Sequence, residues 1–181
     1  MIKTRFTNRD PSQRMALQPS VPVADHDYAN APSVPRDVAS LIDESTVERV
    51  VHEFYHRVRR DSLLAEIFNV HIADWEFHLK RMCEFWSSIA LGSGRYHGRP
   101  LSKHLTLPVS ASHFDRWLDL FASTVQEICM TAAAELLTKR ARLIARSLEG
   151  GIASAHGVVL AREERFDPFR DLTLEQRGEH R

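Results

Sequence analysis

The residues of this chain best suited to chemistry are histidines. There are ten, and their surroundings separate them. His26, His156 and His180 lie in the terminal stretches. His52 and His56 stand four apart, a spacing that puts two imidazoles on one helical face where they can share a metal ion. They flank the apolar stripe of their segment without joining it, which fits a solvated or half-buried pair better. His78 is inside an apolar stripe, three residues after Trp75 and four before Met82. Alone, it reads as a satisfied core histidine. His104 lies in a short apolar piece bracketed by Pro100 and Pro108, with Leu101 and Leu105 beside it. An imidazole there suits a metal ligand, and a capping or structural role is equally open. His113, four residues before Trp117, is its main rival. Tyr55 and Trp117 point inward on their own helices, and each alone reads as a core aromatic with a polar handle.

The conjunction says more than any member. Tyr55, His78, His104 and Trp117 are inward polar groups in one aromatic-lined helical core. Burying four such groups is costly unless each has a partner. A haem is one economical partner, because its iron takes a neutral imidazole and a ligand on its other side accepts hydrogen bonds. The cysteines offer no competing metal site. Cys83 and Cys129 lack a Cys or His at ligand spacing and read as small core residues.

The elements that must position these groups are helical throughout. Segment 45–60 opens with Ser45, and Glu48 three residues later completes a capping-box pattern. Its apolar positions, Val47, Val50, Val51, Phe54, Tyr55 and Val58, recur three and four apart. Asp61 and Ser62 then offer a break or a fresh cap. Segment 74–91 carries Trp75, Leu79, Met82, Phe85, Trp86 and Ile89, with Asp74 as cap. Segment 111–129 carries Phe114, Trp117, Leu118, Phe121, Val125 and Ile128, with Ser110 or Ser112 as cap. Segment 132–149 carries Leu136, Leu137, Ile144 and Leu148 and is expected to stop at Gly150-Gly151. Residues 92–110, with Gly92, Gly94, Gly98, Pro100 and Pro108, read as a loop holding at most two helical turns. The fold class is therefore all-α, with about four substantial helices and one irregular segment.

Outside this body, residues 1–36 hold five of the eight prolines and no sustained apolar period, the signature of a disordered or loosely docked arm. Residues 37–157 form the expected domain. The charge-rich stretch 158–181 is expected to fray. Twenty-four basic and twenty-four acidic residues cancel, so nothing in the composition draws the chain to nucleic acid or anionic lipid. No apolar run approaches the roughly 18 residues of a membrane span. The N-terminus lacks the apolar stretch of a secretory signal, and a cytoplasmic monomer is the simplest expectation.

The strings FYHRVRRDSLLAEIF at 54–68, DWEFHLKRMCEFWSSIALGSGRYHGRPLSKHLTLP at 74–108 and HFDRWLDLF at 113–121 resemble the group III truncated haemoglobins. The resemblance runs from about Val50 to Leu148 and does not reach the arm or the tail. It implies a shortened globin fold, a two-over-two helical sandwich around haem b. It further implies His104 as proximal iron ligand, with Tyr55, His78 and Trp117 on the distal side. Phe54, Phe68, Met82, Phe85, Tyr96, Leu101, Leu105 and Phe114 fall where this family lines its haem pocket. Arg95 or Arg99 would meet a haem propionate. The implied ligands are oxygen, nitric oxide and carbon monoxide. Two neutral donors, the Tyr55 O–H and Trp117 N–H, would slow oxygen release, which fits oxygen, nitric oxide or peroxide chemistry with a reductase partner. A reversible storage or carrier globin and a gas sensor acting through a partner are the alternatives.

Overall fold

The computed structural model describes residues 41–168, 170 and 171. The proline-rich arm and the last ten residues lie outside the described residues. Among the described residues six helices follow in order: α1 (Glu44–Val58), α2 (Leu64–His71), α3 (Trp75–Leu91), α4 (Pro100–His104), α5 (Ala111–Ile128) and α6 (Thr131–Ala155). Four are long and two are short, as the apolar periods imply.

The first helix begins one residue before the expected start. Asp43, not Ser45, is its cap, and its Oδ1 accepts from the Thr46 N–H at 2.7 Å and from the Ser45 hydroxyl at 2.9 Å. A carboxylate at the helix N-terminus accepts both donors and also suits the helix dipole. Those bonds hold the Asp43 carboxyl down at about 2. Asp74 caps α3 as expected, accepting from the Phe77 N–H at 2.9 Å. Ser110 caps α5, with His113 closing a reciprocal capping box.

Asp61 makes the break foreseen after α1. Its Oδ1 accepts from the backbone N–H groups of Leu63 and Leu64, both at 3.1 Å, and so starts α2. Its Oδ2 accepts from Arg116 Nε of α5 at 2.7 Å. Burial alone would raise this carboxyl, but the Arg116 and backbone bonds hold it below its ordinary range.

The expected stop at Gly150-Gly151 does not occur. Helix α6 runs on to Ala155, and the left-handed residue that follows is Gly157, with φ 78°. Gly151 serves packing instead: a Cβ there would lie 2.4 Å from Leu101 Cδ1. The missing side chain lets α4 rest directly on α6. Gly92, with φ 65°, is the left-handed C-cap that ends α3.

The helices form two packed pairs, α1 with α3 and α5 with α6, joined by contact between α1 and α5. Phe54 and Phe121 are wholly buried where the pairs meet. Trp86 stacks on Phe121 with ring centroids 4.5 Å apart, and Trp117 stacks on it at 5.4 Å. Cys83 and Cys129 are free and half-buried. Among the described residues no helix is long and apolar enough to cross a membrane. Within residues 158–168, most of which are exposed, Phe166 is buried and its carbonyl accepts from the Ala111 N–H, so this part of the segment expected to fray is tied to the helices.

Candidate functional site

Between α1, α3, α4, α5 and α6 lies a cavity of about 790 Å³. That falls within the range of small-molecule and cofactor sites. Tyr55 enters it from α1, His78, Met82 and Phe85 from α3, His104 from α4, and Phe114 and Trp117 from α5. Phe68 of α2 and Tyr96 and Arg99 of the glycine-rich loop complete the set that the sequence singled out.

The other residues singled out do not line it. Phe54 stands behind the wall, edge-on to Tyr55 at 4.9 Å and to Trp117 at 5.4 Å. Leu101 is spent on Gly151, and Leu105 packs against the core. Arg95 turns to Glu44, 3.3 Å away, leaving Arg99 as the loop arginine on the cavity. Arg81, Lys103, His71, Ile144, Ala145 and Leu148 line the cavity and were not read as site residues. Arg81 was findable, because it falls three residues after His78 on the same helical face. Ile144 and Leu148 were visible as an apolar stripe, but nothing in the stripe distinguishes a cavity wall from an ordinary core.

His104 is the last residue of α4. Pro100 starts that helix, where its missing N–H and fixed φ cost nothing. Its carbonyl, four residues back from His104, accepts from His104 Nδ1–H at 2.7 Å. A carbonyl only accepts, so the proton sits on Nδ1 and Nε2 keeps its lone pair. Burial lowers the pKa of this imidazole, with the Pro100 bond opposing, and the ring is neutral at neutral pH. His113 also lines the cavity, but its ring is engaged differently. Its Nδ1 accepts from the Ser110 N–H at 3.1 Å, so its lone pair is already used in the capping box.

His78 is held edge-on by two aromatic rings, Tyr55 at 4.9 Å and Trp75 at 5.7 Å. Its Nε2 is buried with no hydrogen-bond partner among the described residues. Burial, aided by His104 across the cavity, pushes its pKa down to about 4. Tyr55 is 4% exposed, and burial pushes its phenol well above the ordinary range. It therefore keeps its proton. Among the described residues its hydroxyl makes no hydrogen bond, and the residue lines the cavity.

Tyr96 closes one side of the cavity. Arg81 lies over its ring at 4.8 Å, and Phe85 meets it edge-on at 5.1 Å. Its hydroxyl sits where a Cβ of Gly98 would be, 2.3 Å from that position. The loop is anchored by the Tyr96 N–H, which donates to Ser88 Oγ at 2.9 Å, and by Ser93 on Ser87 at 2.7 Å.

A sequence profile of the bacterial-like globins matches residues 41–148. A group 3 truncated haemoglobin of Campylobacter jejuni is 33% identical over 109 residues, covering 58% of this chain and 86% of that one. The chain belongs to the bacterial-like globins, in their group III truncated branch. The crystal structure of a group III truncated haemoglobin from Campylobacter jejuni matches this globin with a TM-score of 0.57 and 32% identity, covering 59% of this chain and 88% of that one. Family membership implies a haem cofactor and diatomic ligands. The residues present fit that group. A free imidazole lone pair and an orphaned imidazole nitrogen face one aromatic cavity, and Arg81, Arg99 and Lys103 on its wall suit carboxylates.

Proposed function

We propose that this globin holds haem b in the cavity with His104 Nε2 as the iron ligand, and performs oxygen, nitric oxide or peroxide chemistry there. The observation that carries the ligand assignment is the Pro100 carbonyl on His104 Nδ1–H, which leaves Nε2 free. That carbonyl also fixes the ring's orientation and raises the basicity of Nε2. Because the lone pair of His113 is already engaged, that residue is the poorer ligand.

When bound, the haem supplies an iron that takes diatomic ligands and exchanges electrons. The chain's own residues do the rest. Tyr55 and Trp117 are neutral donors, and neither loses its proton at neutral pH. Phe68, Phe85 and Phe114 keep water out, which strengthens any hydrogen bond formed inside. His78 stays neutral and has a nitrogen to spare, so it can donate to a ligand, gate its entry or act as a second ligand to iron. Arg99 and Arg81 are the side chains suited to the cofactor's carboxylates.

Two donors worth about 0.5–1.5 kcal/mol each would slow ligand release by roughly one to two decades. Retention of that order disfavours bulk delivery and favours turnover, for which an electron-donating reductase is the required partner. The test is to add nitric oxide or peroxide to the reduced, oxygen-loaded protein. Rapid consumption is expected. Reversible oxygen binding with no consumption would make this a storage or carrier globin.

A further inference from the structure

The family match ends at residue 148, and the next residue, Glu149, is the anchor of a set of contacts made by the chain beyond it. Glu149 is buried, one residue past Leu148 on the cavity wall. Arg165 Nε donates to both of its carboxylate oxygens at 2.9 Å. The same guanidinium reaches α5, donating from Nη1 to Asp115 at 2.8 Å and from Nη2 to the Ala111 carbonyl at 3.3 Å. Phe166 follows, 1% exposed and stacked on His156 at 5.8 Å. Its N–H donates to Glu149 Oε1 at 2.8 Å, and its carbonyl accepts from the Ala111 N–H at 2.9 Å.

One short segment thus ties the start of α5 to the C-terminal part of α6. Ala111 opens the helix that carries Phe114 and Trp117 into the cavity, and α6 brings Ile144, Ala145 and Leu148 to the facing wall. The Ala111 N–H is at a helix N-terminus, where no intrahelical acceptor exists. The Phe166 carbonyl supplies one from the far end of the chain. Arg165 can do this for two helices at once because its planar fork presents several donors in fixed directions, which a lysine lacks.

We infer that residues 161–168 are a clasp, with Arg165 as its positioning residue, which fixes the first turn of α5 and so sets where Phe114 and Trp117 stand in the cavity. The inference rests on the haem reading only for its ligand-binding consequence. The clasp itself is a property of the chain with or without cofactor.

The test compares Arg165→Gln, Arg165→Lys and Asp115→Asn with Arg57→Gln in the full chain. Arg57 bridges Glu53 and Glu127 at the other end of α5 and serves as the stability control. Amide exchange at Ala111 and carbon monoxide rebinding after flash photolysis are read together. Arg165→Gln is expected to speed Ala111 exchange about tenfold, the loss of roughly one charge-assisted hydrogen bond. It is also expected to change the rebinding rate severalfold. Arg165→Lys should recover only part of both, and Asp115→Asn should shift both less than Arg165→Gln does. Arg57→Gln should lower the unfolding temperature without either change. Unchanged exchange at Ala111 in Arg165→Gln would remove the clasp. Faster exchange with wild-type rebinding would reduce it to a stabilising strap with no hold on the cavity. Should Arg165→Gln not fold, Asp115→Asn, which loses an exposed partner only, carries both readouts. Exchange at Ala111 in the haem-free protein tests the clasp even if no haem binds.

Discussion

Replacing Tyr55 by phenylalanine should change ligand retention while leaving the haem-free fold nearly as stable. The residue is 4% exposed and lines the cavity, and among the described residues its hydroxyl makes no hydrogen bond that holds the fold. In the haem-free chain the hydroxyl borders the open cavity. Removing it should therefore change stability by less than about 1 kcal/mol, since no intramolecular hydrogen bond is lost. With haem and oxygen present the same hydroxyl has an acceptor. Losing one such bond, about 0.5–1.5 kcal/mol, should speed oxygen dissociation roughly twofold to tenfold. Urea unfolding of the haem-free protein and stopped-flow displacement of oxygen by carbon monoxide measure the two effects. An unchanged off-rate would remove Tyr55 from ligand binding. A clear fall in haem-free stability would mean that the hydroxyl serves the fold and not the cavity.

Gly151→Ala should destabilise by roughly 1–2 kcal/mol in urea, although alanine normally gains about 1 kcal/mol over glycine inside a helix. The added Cβ would meet Leu101 Cδ1 at 2.4 Å, and a gain in stability would refute that close approach. Asp61→Ala should cost roughly 2–4 kcal/mol by thermal unfolding, because it removes the start of α2 and the bond to Arg116 together. Asp61→Asn should cost less, since its side-chain oxygen can still accept from Leu63 and Leu64. Below neutral pH the haem-free protein should lose stability. His78 is pushed down to about 4, so between there and 6.5 the unfolded chain binds a proton that the folded chain refuses. Stability therefore rises with pH through this window, and His104 and His113, also lowered by burial, act in the same direction. His78→Gln should flatten the dependence of Tm on pH, and an unaltered slope would show that the ring is not held neutral by burial.

Much of this was legible in the sequence because the long helices carry unbroken apolar periods. The stripes of α1, α3 and α5 placed Tyr55, His78 and Trp117 on inward faces, Asp74 marked one start, and of the two serines that could cap α5 the structure uses Ser110. The failures have particular causes. Asp43 displaced Ser45 because two good caps lay close together and the carboxylate accepts both donors. Gly150-Gly151 resembles a helix stop, yet Gly151 is needed for contact with Leu101, a residue fifty positions earlier that no local rule connects to it. Arg95 and Arg99 could not be told apart, since the direction of each depends on the loop backbone around Gly92, Gly94 and Gly98. The clasp was missed for a similar reason. Residues 158–168 show no apolar period, and their hold depends on one buried phenylalanine and one arginine whose partners, Glu149 and Asp115, lie on separate helices.

The central claim is that His104 Nε2 ligates haem iron in this cavity. It is tested most directly by the absorption spectrum of the purified protein after haem reconstitution, taken alongside His104→Ala and His113→Ala. A Soret band in the wild-type and His113→Ala proteins, lost or strongly altered in His104→Ala, is the predicted result. No Soret band in the wild type would contradict haem binding, and loss of the band in His113→Ala alone would contradict the ligand assignment.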